Sequence, residues 1–542
     1  MEFTINKNKH VFVYLIFLAI FILGITIYND YGLNIDDEWY KENGEFYYQY
    51  IKLFFSGQNS TSLNDIKSLS TKIIGFSVPY MNPVLFELPQ VYISRLLNFN
   101  VSKEIYEFGH LLNFLIFFTS LVFFYKIISN KFKSTFYGII AIVILITTPR
   151  IFAESFYNSR DIFFLSLFIF FLYACHKFLI KRTFKTVFYI SLTSAFLIYA
   201  KVVGFIPVFL FFIFYYLSFT KEKKFKKSDL YYLFFIFVTI IFFVYILWPY
   251  LWIDPINNFI LAFKRMVSDH NSLYLLNFYF GDLIPSTNTP WHYRIVWFLI
   301  TTPIYILVFF TIGFSLLIYQ IITRFINLGD ADDNLWKNHY EMFNFYLFTV
   351  FILIFFSTIK FNPSQFGSWR HLYFLYPIVI IFFLIGIDFI KSIFKSKILR
   401  LIILLTIFFN IIYLSYWNYK YHPNQYVFFN YLTKNYAMNN FDLDYWGLSN
   451  VQSIRYILEN NKNDNIKVGT ISFTPLRVSK LLLTEDQKKR LIIVGNLEEA
   501  DYLVDSYMKR LRSNFVIDKS MYSKYFEIII NDVPINTVYK KN

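Results

Sequence analysis

Three carboxylates stand side by side shortly after the first apolar stretch of the chain. Asp36, Asp37 and Glu38 lie in the segment NIDDEWY, residues 34–40. Because adjacent carboxylates repel one another, at least one should have a raised pKa unless a cation or a substrate hydroxyl compensates. A carboxylate with a raised pKa suits general-base chemistry. A solvated acidic turn is the alternative that needs no function.

A second polar cluster, PRIFAESFYNSRD at residues 149–161, interrupts an apolar region. It contains two arginines, Arg150 and Arg160, and two acids, Glu154 and Asp161. Interfacial ion pairs and a helix cap would explain these residues without a function. Asp161 would then complement the positive N-terminal end of the helix that follows.

Two isolated cations lie near the predicted outer ends of apolar runs. Lys201 stands in YAKVVG, residues 199–204, and Arg370 precedes His371 in GSWRH, residues 367–371. An anionic headgroup would explain Lys201, and so would snorkelling of its side chain toward the interface. Arg370 can form two parallel hydrogen bonds with a phosphate, whereas a lysine acts as a point charge.

The sequence argues against several common enzyme classes. It has no Walker loop, no dinucleotide-binding glycine pattern and no His-Glu-x-x-His motif, which disfavours ATPases, dehydrogenases and common zinc enzymes. Cys175 is the single cysteine, so neither an intrachain disulfide nor a cysteine zinc site can form. Acid pairs can hold a divalent cation, but no histidine completes a cluster, and we predict no metal and no other cofactor.

The composition is that of a protein that lies in a lipid bilayer. Of 542 residues, 56% are hydrophobic and only 16% are charged, against about 25% charged in soluble domains. The net charge is +15, but the basic residues fall mostly in short gaps between apolar runs. We therefore attribute the charge to membrane topology and not to nucleic-acid binding.

About eleven apolar runs are candidate transmembrane helices, since a span needs about 20 apolar residues. They cover residues 11–28, 108–128, 134–149, 161–178, 186–200, 203–219, 230–250, 294–319, 343–359, 372–390 and 398–417. They predict a transmembrane domain over 1–418 with long loops at 29–107 and 251–293. Residues 419–542 have soluble composition and predict a small α/β domain, with strands near 466–472, 491–494 and 526–530 and a helix over 451–459.

Lysine and arginine predict the orientation of these helices. They concentrate in alternate gaps, such as 177–185, 221–227 and 391–400. The positive-inside rule then places the N-terminus in the cytoplasm, and it places both long loops and the C-terminal domain outside. The predicted location is the cell inner (plasma) membrane.

Taken together, these motifs resemble the C-superfamily glycosyltransferases. The acidic pair after helix one, the Arg-to-Asp hairpin before helix four and the Lys-x-x-Gly after helix five occur in the expected order. The similarity is to the branch with dolichyl-phosphate-mannose protein mannosyltransferases and bacterial lipid A aminoarabinose transferases. The strings PRIFAESFYNSRDIFF, GSWRHLYFLYP, HPNQYVFFN and DYWGLS resemble a bacterial subgroup labelled family 39 glycosyltransferases. The resemblance covers most of residues 1–450.

The resemblance implies an activity as well as a fold. A polyprenyl-phosphate-linked sugar would be the donor, and the sugar would pass outside the cytoplasm to a lipid, glycan or protein acceptor with inversion. One of Asp37 and Glu38, preferably Asp37, would deprotonate the acceptor hydroxyl. Asp161 would be a second acid near the reacting sugar.

The remaining candidates concern binding. Lys201 and Arg370 would hold the donor phosphate, with Arg160 as a weaker candidate. Asp36 and His371 are further candidate substrate-binding residues. Asp36 also makes the identity of the base ambiguous by one position, and the role of DYWG at 444–447 does not follow from the resemblance.

Two other functions compete with sugar transfer. A transporter or flippase of lipid-linked or glycan substrates would carry charges at mid-helix depth through both halves of the bundle. A non-catalytic envelope assembly protein, or a polysaccharide ligase, would depend on its soluble domain and tolerate changes at Asp37.

Overall fold

The computed structural model describes residues 2–56, 83–222, 227–268, 275–327, 335–394, 396–508, 517–518 and 520–542. Within these ranges the side chains of 2–10, 218–222, 227–229, 263 and 265–268 are not described. Parts of the predicted loops, 57–82 and 269–274, and part of the lysine-rich gap, 223–226, lie outside the described residues.

Seven helices in the described part of the chain are long and apolar enough to cross a membrane. They are Ser102–Phe132, Asp161–Ile180, Leu230–Leu247, Ile304–Ile326, His339–Lys360, Arg370–Ile393 and Lys397–Lys420. Three shorter apolar helices cover Val11–Ile27, Phe184–Ala200 and Val202–Leu217, and Thr135–Thr147 and Pro149–Tyr157 form a pair bent by 71°. The chain therefore has the character of a polytopic helical membrane protein. Each of the eleven predicted spans overlaps one of these helices, but the count of eleven crossings stays a prediction.

Prolines separate consecutive helices at two places, one of them within a predicted span. Pro303 ends the helix Tyr293–Thr301 before Ile304–Ile326 begins, so the prediction of one helix over 294–319 is wrong. Pro149 opens the helix Pro149–Tyr157 after an extended Thr148. Proline lacks an N–H and pushes the preceding residue out of the helical region, which explains both breaks. The second break turns the motif of residues 149–157 into the core, where every residue of that helix is buried.

The long loops contain amphipathic helices and a hairpin. Helices cover Asp37–Phe55, Glu87–Leu96 and Pro255–Ser268, and strands β1 (Leu276–Tyr279) and β2 (Asp282–Pro285) pair antiparallel. Helix Asp37–Phe55 has two acids, Asp37 and Glu38, in its first turn, where they complement the helix dipole. It packs Phe46 and Tyr47 into one cluster with Tyr199 and Trp248, which anchors the acidic segment against the ends of neighbouring helices.

A five-stranded sheet follows the last apolar helix. Its strands are β3 (Ile466–Thr470), β4 (Leu491–Ile493), β5 (Tyr502–Asp505), β6 (Tyr522–Ile530) and β7 (Val533–Lys541), in the order β4-β3-β5-β7-β6. Strands β3, β4 and β5 are parallel, while β7 runs antiparallel to β5 and β6. The predicted strands and the predicted helix, here Asn450–Asn460, are present. Short helices at Leu476–Lys480 and Glu485–Arg490 complete this unit.

The packing boundary lies later than the end of the last apolar helix. Tyr426, Phe428 and Trp446 belong to the same buried cluster as the apolar helices. Val451 and later residues form a second core with the sheet, and this core also takes in Leu33 and Tyr106. The DYWG stretch therefore packs with the helices, and the sheet unit rests beside the acidic segment.

Candidate functional site

Asp161 is the centre of a buried cluster of charges. It is 1% exposed and begins the helix Asp161–Ile180. Its Oδ1 is paired with the Lys201 ammonium group, and its Oδ2 accepts a 2.8 Å hydrogen bond from Arg370 Nη1. His371 Nδ1 lies 3.6 Å from Oδ1. Lys201 and Arg370, far apart in sequence, thus converge on one carboxylate.

Asn158 holds Asp161 in place. Its Oδ1 accepts from the backbone N–H groups of Arg160 and Asp161, at 3.2 and 2.8 Å, and so satisfies free donors at the start of the helix. Its Nδ2 donates to Asp161 Oδ2 at 3.1 Å and to Glu154 Oε2 at 2.6 Å. Glu154 also accepts a 2.9 Å hydrogen bond from the Tyr373 hydroxyl.

Two glycines allow the cations to reach this point. At Gly367 the backbone has φ +63°, and a Cβ there would lie 2.8 Å from Arg370 Nε. A Cβ at Gly204 would lie 2.2 Å from the Leu197 carbonyl oxygen, so only glycine fits the turn that follows Lys201. Both motifs therefore need glycine for a steric reason.

Together, Asp161 and the two cations paired with it carry a net positive charge. One carboxylate faces two cations, Lys201 and Arg370, and the side chains of Lys201 and His371 remain 22% and 25% exposed. Burial lowers the pKa of the Lys201 ammonium group, while Asp161 opposes this effect. An anion that reaches Lys201 and Arg370 would restore the balance of charge.

Arg160 faces a different partner. Its Nη2 lies 3.2 Å from Glu87 Oε1, its Nη1 donates to the Pro83 carbonyl oxygen at 2.7 Å, and its guanidinium packs over the Tyr40 ring. Burial raises the pKa of Glu87, although Arg160 counteracts it. The structure therefore does not place Arg160 against Asp161 with Lys201 and Arg370.

The acidic segment lies beside this cluster and its three carboxylates differ. Asp37 accepts hydrogen bonds from the backbone and side-chain nitrogens of Asn34, at 2.8 and 2.6 Å. Burial raises the pKa of Asp37 well above its usual range, against the lowering effect of these bonds. Glu38 pairs with Arg477 of the sheet unit at 2.7 Å. Asp36 lies within electrostatic range of Arg370.

Sequence reasoning missed an aromatic support for Arg370. The Arg370 guanidinium carbon lies 4.7 Å from the centroid of the Trp446 ring and 5.1 Å from that of Phe366. Asp444 accepts from the backbone nitrogens of Leu448 and Ser449, at 3.0 and 2.9 Å, and so shapes the turn that presents Trp446. The unusual DYWG string was the available signal, but it did not reveal the partner.

Sequence reasoning also missed Asn158 and Glu154 as supports of Asp161. Glu154, Asn158 and Asp161 are spaced by four and three residues, and this clustering of polar residues in an apolar region was the available signal, although the break after Tyr157 means that they do not share one helix face. Within the described residues, no group of three or more His, Cys, Asp or Glu side chains is arranged to hold a metal ion.

No protein-family model matches the chain, and no curated protein is similar to it in sequence.

Proposed function

We propose that this protein is a membrane glycosyltransferase with the C-superfamily fold. It moves a sugar from a polyprenyl-phosphate-linked donor to the hydroxyl of a lipid, glycan or protein acceptor, with inversion, on the extracytoplasmic side of the plasma (inner) membrane. The observation that supports this most is the convergence of Lys201 and Arg370 on Asp161. The motifs that carry the family resemblance, at residues 34–40, 149–161, 199–204 and 367–371, include the residues that surround this cluster.

The charges of the cluster fit this reaction. A sugar phosphate leaves readily when its negative charge is neutralised, so the site needs fixed cations more than it needs an acid. Arg370 uses Nη1 for Asp161, and its planar guanidinium has further donors for a phosphate oxygen. Lys201 and His371 are partly exposed and stand where the phosphate would enter.

Asp37 is the base in this proposal. Its raised pKa brings it nearer to the pH at which a general base works best. Glu38 is engaged in an ion pair with Arg477, so its carboxylate is less available to an acceptor hydroxyl. Asp36 lies nearer to Arg370 and would contact the donor side of the reaction.

Binding of the product lipid tests the phosphate site. In purified protein, Lys201→Gln and Arg370→Gln should each weaken polyprenyl phosphate binding by about ten- to a hundredfold, the range for loss of a charge-assisted hydrogen bond. The double variant should lose less than the sum, because both cations hold one group. Arg324→Gln removes a cation from an ion pair with Glu341, on the helix end far from Arg370, and serves as the control.

Turnover separates an enzyme from a transporter. Purified wild-type protein in detergent, given polyprenyl-phosphate-linked sugars and a range of hydroxyl acceptors, should release polyprenyl phosphate and form a glycosidic bond. Movement of the lipid across a vesicle membrane without any bond formation would instead support the transporter.

A further inference from the structure

Several buried polar atoms near Asp161 and its neighbour Glu154 have no hydrogen-bond partner in the described part of the chain. They are Arg150 Nη1 and Nη2, Arg370 Nε and the hydroxyl oxygens of Tyr157 and Tyr445. All four residues are at most 4% exposed. Leaving a polar group unpaired away from water is costly, and more so within a membrane protein. So many unpaired donors in one place call for a ligand or for ordered water.

Three of these four residues lie near Glu154. Arg150, Tyr157 and Tyr445 each lie within electrostatic range of the Glu154 carboxylate. A Cβ added at Gly367 would touch both Arg370 Nε, at 2.8 Å, and the Tyr445 ring, at 2.9 Å, so these two groups are neighbours. We call the set Arg150, Glu154, Tyr157, Arg370 and Tyr445 the inner cluster.

Arg150 is held in position although its terminal nitrogens are unpaired. Its Nε donates to the Phe428 carbonyl oxygen at 3.0 Å. Its guanidinium carbon lies 5.4 Å from the Trp297 ring centroid and 5.2 Å from that of Phe429. Rings and a backbone carbonyl therefore orient the guanidinium without using Nη1 or Nη2. A cation fixed in this way is preorganised for a ligand.

The hydrogen-bonding capacity of the inner cluster points to an uncharged polyhydroxyl ligand. Away from the phosphate cations, it holds one cation, Arg150, and one carboxylate, Glu154, so it attracts neither an anion nor a cation strongly. Unpaired donors are abundant. The carboxylate of Glu154 accepts two hydrogen bonds out of the roughly four that its oxygens can take. Sugar hydroxyls both accept and donate, which matches this mixture.

We propose that the inner cluster binds the sugar ring of the donor and selects an uncharged hexose or pentose. This inference rests on the proposed function, since it places the sugar beside the phosphate held by Lys201 and Arg370. Sugar hydroxyls accept from Arg150 and from the two tyrosine hydroxyls and donate to Glu154. Because Arg150 and Glu154 offset each other, the charge of an amino sugar or of a uronic acid gains no net attraction there that would compensate the cost of its burial.

Two conservative variants test this with little effect on folding. Tyr157→Phe and Tyr445→Phe each remove a hydroxyl that makes no protein hydrogen bond, so the thermal unfolding midpoint should not change. Binding of polyprenyl phosphate should stay within about twofold, while binding of polyprenyl-phosphate-mannose should weaken by about three- to tenfold, as expected for a neutral hydrogen bond. Tyr305→Phe removes another buried, unpaired hydroxyl, on the helix Ile304–Ile326, and should change neither affinity.

The outcomes separate this inference from the proposed function. If wild-type protein binds polyprenyl phosphate but both Tyr→Phe variants bind polyprenyl-phosphate-mannose normally, the inner cluster holds only water and the inference is overturned. If wild-type protein binds an aminoarabinose-linked lipid as tightly as polyprenyl-phosphate-mannose, the preference for an uncharged sugar is overturned. If the wild-type protein binds no polyprenyl phosphate and transfers no sugar, the proposed function fails, and the inference fails with it.

Discussion

Replacement of Asp161 by asparagine should weaken the fold and tighten phosphate binding at once. Asp161 neutralises part of the charge of Lys201 and Arg370 in the absence of substrate. Asparagine keeps the shape but removes the negative charge, so two cations then face each other in a buried site. A phosphate that replaces the missing anion should therefore bind more tightly, although the variant protein without ligand is less stable than the wild type.

The size of both effects follows from burial. Removing one partner of a buried ion pair costs about 3–5 kcal/mol, and the partial exposure of Lys201, 22% of its side chain, argues for about 3. Because Asp161→Asn removes one negative charge, the net charge that a bound phosphate meets becomes more positive by one unit. Two unit charges about 6 Å apart interact by about 3 kcal/mol at an effective dielectric constant near 20. Solvent near Lys201 reduces this to about 1.4 kcal/mol, which is about tenfold in affinity.

Thermal unfolding and lipid titration measure the two effects on the same sample. Asp161→Asn should unfold at a lower temperature, bind polyprenyl phosphate about tenfold more tightly and be stabilised more by the lipid than the wild type is. Glu341→Gln breaks the ion pair with Arg324, in which both side chains are 15% exposed, and should lose stability without any change in lipid affinity. If Asp161→Asn instead binds polyprenyl phosphate more weakly, Lys201 and Arg370 do not form the phosphate site.

Four further predictions concern the base, the aromatic support, a glycine and the topology. Asp37→Asn should lower turnover by at least about a hundredfold while donor affinity is retained. It should also abolish the acid limb of the pH–rate profile, which in the wild type should lie above the ordinary range of an aspartate because the pKa of Asp37 is raised. Normal turnover in Asp37→Asn, with reduced turnover in Glu38→Gln or Asp36→Asn, would move the role of base to that residue. Trp446→Leu removes a ring 4.7 Å from Arg370 and should weaken polyprenyl phosphate binding by up to about thirtyfold, since a desolvated cation–π contact contributes about 2 kcal/mol. Trp446→Phe should retain part of the affinity, and equal effects of both variants would argue against the ring contact. Gly367→Ala places a Cβ 2.8 Å from Arg370 Nε at φ +63°, so it should lower the free energy of unfolding by about 1–3 kcal/mol and also weaken lipid binding. Gly495→Ala, where a Cβ meets nothing within 4 Å, should change neither stability nor lipid binding. Reporter fusions after Lys227 and after Tyr421 should give opposite compartment signals, and two cytoplasmic signals would refute the predicted orientation.

Local patterns of hydrophobic residues in the sequence predicted much of the architecture. Long apolar runs form helices because the backbone must satisfy its own hydrogen bonds away from water, so hydropathy alone located helices such as Asp161–Ile180 and Lys397–Lys420. Alternating and short apolar segments likewise predicted strands β3, β4 and β6. Where a proline interrupts an apolar run, as at Pro303, hydropathy averaged over the break and predicted one helix in place of two.

The sequence predicted only part of the candidate site. The motifs at residues 149–161, 199–204 and 367–371 stood out because charge is rare between apolar runs. The ion-pair partners of these residues could not be predicted from the sequence, since an ion pair depends on which helices are neighbours. Arg160 and Asp161 are adjacent in sequence, yet Arg160 binds Glu87 while Asp161 binds Lys201 and Arg370.

The sequence by itself determined that this is a membrane protein with polar motifs at a few helix ends, because hydrophobicity and helix spacing are local properties. Only the tertiary structure decided that one carboxylate joins two distant cations, that Trp446 lies against Arg370, and that Arg150, Tyr157 and Tyr445 bring unpaired donors to one place. These facts depend on the packing of segments that lie far apart in the sequence. Packing is set by side-chain shape along whole helices, which no single motif encodes.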